Sequence, residues 1–183
     1  MGFSISTGAA AIIIGKNGVG KTSLLKIIAG ISKATSGKIL WAGQDVQDLK
    51  DDFNGDMQFI GHKNFLKTDL TVTENLNFYA SLAGSQMLVQ AAINFFKLND
   101  FAGEKVKKLS RGWQKRTMLA KLLCCPATLW LLDEPSSDLD EEGKFLLKGL
   151  IQTRIKEDGL VILTSHDKDL FDLGIKINLE DYT

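Results

Sequence analysis

Two hydrophobic periodicities alternate along this chain. Residues 9–14 are continuously apolar and end in three isoleucines, the pattern of a strand covered on both faces of a parallel sheet. A glycine-rich turn follows, and Leu24, Leu25, Ile27 and Ile28 then predict a buried helix over 22–29, stopped at Gly30. From about 70 to 109 the character changes. Residues 74–83 predict one helix, and 85–98 predict a second, capped by Ser85, with a face of Met87, Leu88, Ala91, Ala92, Phe95 and Phe96. Alternation then resumes. A buried strand is expected at 129–132, and an amphipathic helix at 142–157 that buries Phe145, Leu146, Leu150 and Ile155. Further strands follow at 160–164 and 175–179. Strands alternating with helices imply a mostly parallel sheet with helices on both faces. The expected organisation is one domain, with a core of about 1–61 and 111–183 and a helical insertion of about 62–110.

A chain of 183 residues suits one well-buried α/β domain and is short for two. Its 22 Lys and Arg balance 22 Asp and Glu, so no global field draws it to nucleic acid or acidic lipid, and no nucleic-acid partner is expected. The first eleven residues lack the basic flank and cleavage pattern of a signal peptide. The longest apolar runs fall far short of the roughly 20 residues of a spanning helix, so work at a membrane would need a partner to hold the protein there. Cys124 and Cys125 are adjacent at the end of an apolar helical stretch, and read as small hydrophobes of a reduced cytosolic protein.

The chemistry-bearing residues stand at the ends of the predicted strands. Gly15 to Thr22 matches G-x-x-x-x-G-K-[ST], with a strand before it and a helix after. Glycines let the backbone N–H groups of Gly15, Lys16, Asn17, Gly18, Val19, Gly20, Lys21, Thr22 and Ser23 form a concave anion nest, reinforced by the positive end of the following helix. The Lys21 ammonium suits the β- and γ-phosphates of a nucleotide, and the Thr22 hydroxyl suits Mg²⁺. Alone, this motif does not separate transport ATPases from kinases or GTPases. The strand at 129–132 runs into Asp133 and Glu134 at the edge where open α/β sheets bind ligands. Asp133 suits the metal or one of its waters. Glu134 suits a base that takes a proton from attacking water, although a carboxylate pair after a strand is often only a helix cap. Ser110 and Gly112 at the start of the predicted 113–124 helix offer a hydroxyl and free N–H groups to an anion, and Ser110 also satisfies an N-cap.

In Leu109-Ser110-Arg111-Gly112-Trp113 the sequence resembles the signature LSGGQ of the ABC transporter ATPases. Ser137-Asp138-Leu139-Asp140 resembles that family's D-loop, and His166 its switch histidine, all in the family's order. The resemblance covers essentially the whole chain. It implies a P-loop NTPase (RecA-like) core of the ABC ATPase type with a helical insertion. It also implies ATP and Mg²⁺ as ligands, with Glu134 and His166 as catalytic residues and Thr22 and Asp133 at the metal. Signature residues Leu109, Ser110, Arg111 and Gly112 would act in trans, completing the ATP site of a second copy in a head-to-tail dimer. Arg111 and Trp113 depart from the signature, but neither removes Ser110 or the Gly112 backbone.

Segments Ile39–Gly43, Ile60–Asn64, Lys67–Thr71 and Glu74–Tyr79 resemble the haem-export ATP-binding proteins of cytochrome c biogenesis. That implies integral membrane permease subunits as partners and a peripheral place on the cytoplasmic face of the inner membrane. A docking surface is expected at 59–77, with Phe65 and Leu66 as candidate apolar contacts that burial inside the insertion would equally explain. The family's Q-loop glutamine is replaced by His62, which titrates near neutrality. The chain is also short at its N-terminus, since fourteen residues precede Gly15 where the family has more, including an aromatic that stacks on adenine. Phe3 lies too close to the loop to take that role, so the expectation is an internal start at Met1 or weak ATP binding. The ATPase of a different ABC transporter and a soluble ATP-switched protein without a transport role are the alternatives. A P-loop kinase is disfavoured by the signature and the switch histidine.

Overall fold

The computed structural model describes residues 2–61 and 65–182, apart from the side chains of Lys50 and Asp51. It forms two compact units, one of Met1–Gly61, Ala127–Glu134 and Ile151–Thr183, the other of His62–Pro126 and Pro135–Leu150.

In the first unit, β1 (Ala9–Ile14) leads into α1 (Lys21–Ile28). A small antiparallel ribbon, β2 (Leu40–Trp41) and β3 (Gln44–Asp45), then precedes α2 (Val46–Gly55) and β4 (Met57–Ile60). With β5 (Leu129–Asp133), β6 (Leu160–Thr164) and β7 (Ile175–Asn178), the strands form a five-stranded sheet in the order β4-β5-β6-β1-β7. Every pairing is parallel, so all strands end on one edge. Each residue of β5 and β6 is buried, as continuous apolar runs require when both sheet faces are covered. Leu25 and Ile28 of α1 and Phe53 of α2 join Leu131, Ile162 and Ile177 in one core. Neither α2 nor β4 stands out in the sequence. The α2 helix is mostly polar, but Asp45 caps it by accepting from Gln47 N at 3.0 Å. Phe53 anchors it, packed edge-to-face on Trp41 with ring centroids 5.5 Å apart.

In the second unit, α3 (Val72–Leu82), α4 (Val89–Phe95) and α5 (Arg111–Cys124) pack on one another, and α6 (Glu141–Lys156) begins. Thr71 and Glu74 form a reciprocal capping box at the start of α3, with bonds of 3.1 and 2.8 Å. This unit runs through α5, which packs on α3 and α4, to Pro126, and it also takes in Pro135–Leu150.

Two predicted faces are corrected. Residues 85–98 do not form one helix: a 3₁₀ turn, Gln86–Leu88, precedes α4, which buries Val89, Ala92, Ile93 and the following Phe96, while Met87 is 84% exposed. Ser85 caps nothing, because its buried hydroxyl instead donates to the carbonyls of Ala80 and Cys124. Along α6 the buried positions are Gly143, Leu147, Leu150 and Ile151, and Phe145 is 77% exposed. Of the expected docking residues Phe65 is exposed and Leu66 buried. Cys124 is fully buried, which pushes its thiol up to about 12, and burial also raises the thiol of the half-buried Cys125.

Candidate active site

The loop that follows β1 depends on glycine at two places. Gly15 has φ 145°, and a Cβ there would meet Val19 Cγ1 at 2.9 Å. Gly20 caps α1 in the left-handed conformation with φ 106°, and makes no side-chain bond to the helix. No cap side chain takes the first-turn N–H groups of α1, and the helix dipole there also favours an anion. Asn17, Gly18, Gly20, Lys21, Thr22, Ser23, Asp133 and Glu134 line a cleft of about 250 Å³.

The sheet register aligns the polar groups beside this loop. Thr164, at the end of β6, pairs with Ile13 of β1 on one side and Asp133 of β5 on the other. Asp133 is 1% exposed and accepts from Thr164 Oγ1 at 2.8 Å and from Thr22 Oγ1 at 2.9 and 3.1 Å. The same Thr164 hydroxyl accepts from Glu134 N at 2.9 Å. Glu134 takes a left-handed backbone, φ 46°, a strained state for a residue with a Cβ. Lys21 is buried and donates from Nζ to the carbonyls of Gly15, at 2.7 Å, and Lys16, at 3.3 Å. His166 Nε2 lies 3.0 Å from Lys21 Nζ, 3.0 Å from Asn17 Oδ1 and 3.5 Å from Glu134 Oε1. It accepts from the lysine in one tautomer and donates to Asn17 or Glu134 in the other. Asn17, Lys21, Thr22, Asp133, Glu134 and His166 thus meet at one sheet edge. Sequence reasoning missed Thr164 as a member of this group. Its signal is that it is the one polar residue closing an otherwise apolar strand.

The signature and D-loop residues lie in the second unit. Ser110 caps α5, its Oγ accepting from Trp113 N at 3.4 Å, while Leu109 is buried and Arg111 exposed. A Cβ on Gly112 would stand 2.9 Å from Asp138 O, so the D-loop backbone passes directly over this glycine. Arg116 is 2% exposed and donates to Asp140 Oδ1 at 2.6 Å, Glu142 Oε2 at 3.0 Å and Phe96 O at 3.4 Å. Its guanidinium lies 4.6 Å from the centre of the Trp113 ring, and that ring packs on Phe101. The Arg116 bond, then one from Gly143 N–H, holds the Asp140 carboxyl below the usual aspartate value. Ser110, Gly112, Trp113, Arg116, Asp138 and Asp140 line a second cleft of about 230 Å³. Ser137 accepts from Lys115 Nζ at 3.4 Å, and Leu139 is buried. The Q-loop position, His62, lies outside the described residues.

Comparison with known proteins bears out the family resemblance and the fold class. The family described as ABC transporter matches residues 1–137. The cytochrome c biogenesis ATP-binding export protein CcmA of Rickettsia bellii is 40% identical over 161 residues, which is 88% of this chain and 81% of that protein. The protein of the same name from Vibrio vulnificus is 37% identical over 172 residues, covering 92% of this chain and 83% of its own. Among solved structures, an ABC transporter ATP-binding protein from Pyrococcus furiosus superposes with a TM-score of 0.85 at 28% identity, covering 98% of this chain and 88% of its own.

Proposed function

The chain belongs to the ABC transporter family and is an ATP-hydrolysing, ATP-binding subunit of such a transporter, and from that premise we propose that the transporter is the haem exporter of cytochrome c biogenesis. The chemistry rests on the meeting of Lys21, Thr22, Asp133, Glu134 and His166 at the edge of one parallel sheet. Identity of 40% and 37% to cytochrome c biogenesis export proteins supports the transporter assignment.

In this reading residues Gly15 to Ser23 cradle the phosphates of ATP, with backbone N–H groups and the Lys21 ammonium as donors. Thr22 and Asp133 suit Mg²⁺: both are oxygen donors, held within 2.9 Å of each other, and Mg²⁺ commonly takes one or two carboxylates besides substrate phosphates. When bound, the ion supplies positive charge against the phosphate oxygens. Glu134 accepts the proton of the attacking water, and His166, within reach of both Glu134 and the loop, orients that site at the γ-phosphate. Thr164 fixes the Asp133 carboxylate and the Glu134 backbone.

A second copy supplies Leu109, Ser110, Arg111 and Gly112 in trans, so ATP joins two chains and hydrolysis releases them. Higher affinity of the closed dimer for ATP than for ADP is what drives the partner subunits, since a ligand shifts an equilibrium only by its differential affinity. No described helix is long and apolar enough to cross a membrane. In this reading integral membrane subunits hold the protein at the cytoplasmic face of the inner membrane. Phe65, Phe78 and Leu82 are exposed in the helical unit, and Tyr79, beside Phe78, donates to the Phe65 carbonyl at 2.7 Å, which supports an apolar docking patch there.

Glu134→Gln tests both halves of the proposal. The amide retains the shape of the side chain but accepts no proton, so hydrolysis should fall by about 10²–10⁴ while ATP binding persists. Tagged in native cells, the variant should retain cytochrome c biogenesis membrane subunits, identified by mass spectrometry. Recovery of a different permease would discard the haem exporter and keep the ATPase mechanism. Unchanged hydrolysis would remove Glu134 from its assigned role.

A further inference from the structure

The peptide that joins Gly15 to Lys16 is gripped at both of its polar ends. Its carbonyl, on Gly15, accepts from Lys21 Nζ at 2.7 Å. Its N–H, on Lys16, donates to Glu180 Oε1 at 2.8 Å, and Glu180 Oε2 lies 3.4 Å from Lys16 Nζ. Glu180 is remote in sequence, on the 3₁₀ turn Leu179–Tyr182 after β7. Parallel pairing of β7 with β1 puts Asn178 beside Ile14, so the end of β7 lies next to the start of the phosphate loop. Asn178 shapes the turn: its Oδ1 accepts from Glu180 N at 3.2 Å and its Nδ2 donates to Asp181 Oδ1 at 3.1 Å.

We propose that Glu180 is a positioning residue for the phosphate-binding lysine: by holding the Lys16 N–H it sets the plane of the Gly15–Lys16 peptide and so aims the Gly15 carbonyl at Lys21. A peptide unit is planar, so its N–H and carbonyl turn together. Gly15, at φ 145°, has no Cβ to restrict its backbone torsions, so a bond to the Lys16 N–H limits how far this peptide can turn. The neighbouring Lys16 carbonyl accepts from Lys21 Nζ and from Val19 N, both at 3.3 Å, so the same backbone segment frames the ammonium twice. The bond from Lys16 N–H is the main cause holding the Glu180 carboxyl below the ordinary glutamate value, followed by the Lys16 side chain. Because the Lys16 ammonium and N–H both face it, the carboxylate does not set an unmatched negative charge beside the phosphates. The inference rests on the reading of Lys21 as a phosphate ligand.

The test uses the full chain with Mg-ATP, comparing Kd, KM and kcat for the parent, Glu180→Ala, Glu180→Gln and Glu180→Asp. Glu180→Ala should raise Kd and KM by about five- to tenfold, the worth of one partly solvated charge-assisted hydrogen bond, with kcat changed by less than about twofold. Glu180→Gln keeps an oxygen acceptor at the same reach but not its charge, and should recover about half of that loss, since a charge-assisted bond is about twice as strong as a neutral one. Glu180→Asp keeps the charge but is one methylene short, and should weaken binding in the same direction as Glu180→Ala, which preserves the test if the alanine variant does not fold. Parent-like affinity in both disruptive variants would overturn the proposal. So would equal loss in Glu180→Gln and Glu180→Ala, or a fall confined to kcat. If the folded parent itself failed to bind ATP, the nucleotide reading would fall and this proposal with it, and all four proteins would then be silent alike.

Discussion

Thr164→Val isolates the hydroxyl that joins the Asp133 carboxylate to the Glu134 backbone. Valine has nearly the same shape, so packing within β6 is preserved while two hydrogen bonds disappear. One is the bond to buried Asp133 at 2.8 Å; hydrogen bonds to charged groups are worth about 1.5–3 kcal/mol. The other takes from Glu134 N the acceptor that holds it at 2.9 Å in the wild type, a loss at the lower end of about 1–3 kcal/mol because this donor is only partly buried. Asp133 keeps its Thr22 bonds, so the lower half of each range applies and the combined cost is about 3 kcal/mol. With a urea m-value near 3 kcal/mol/M, at the upper end of the small-protein range, the unfolding midpoint should drop by about 1 M. Hydrolysis should fall more than ATP affinity does, because the left-handed Glu134 backbone loses the contact that holds it against strain. Thr164→Ser, which restores the hydroxyl, should recover most of both. A midpoint shift below about 0.3 M for the valine variant would refute the claim that Thr164 organises the carboxylate pair.

Two further outcomes follow from burial and charge. The folded Asp140 carboxyl lies below its ordinary value of 3.8, chiefly through Arg116, so it contributes stability that is fully present above that pH and lost as pH falls through the lower folded value. Asp140→Asn should therefore flatten the acid limb of an equilibrium-unfolding profile measured from pH 6 to pH 2, and an unchanged limb would count against the ion pair. Cys124, fully buried with its thiol pushed up to about 12, should not react with a thiol reagent at pH 8 until the protein unfolds, and rapid labelling mapped by peptide mass spectrometry to Cys124 rather than to the half-buried Cys125 would contradict that burial.

What the sequence settles by itself is local. A β-branched run, a spaced set of glycines and an apolar helix specify strand, loop and helix within about twenty residues, and the structure places β1, a glycine-rich loop and α1 there. The carboxylate pair at the end of β5 and the Ser110 cap of α5 were equally legible, because each depends on neighbours within a few positions. Helix faces were less so. In 85–98 and in α6 more than one set of apolar residues fits the helical period, and only packing decided that Ile93 and Leu147 go inside while Met87 and Phe145 stay out. The strand β4 and helix α2 were unreadable for the opposite reason, since an edge strand and a helix with one buried aromatic carry little periodicity. Thr164 and Glu180 belong to the site only through the strand order β5-β6-β1-β7, which brings Thr164 beside Asp133 and Glu180 beside Lys16. Local spacing limits what each segment can become, but no spacing rule relates residues 31 or 164 positions apart. Their meeting is a matter of parallel register, which the packing of the whole sheet decides.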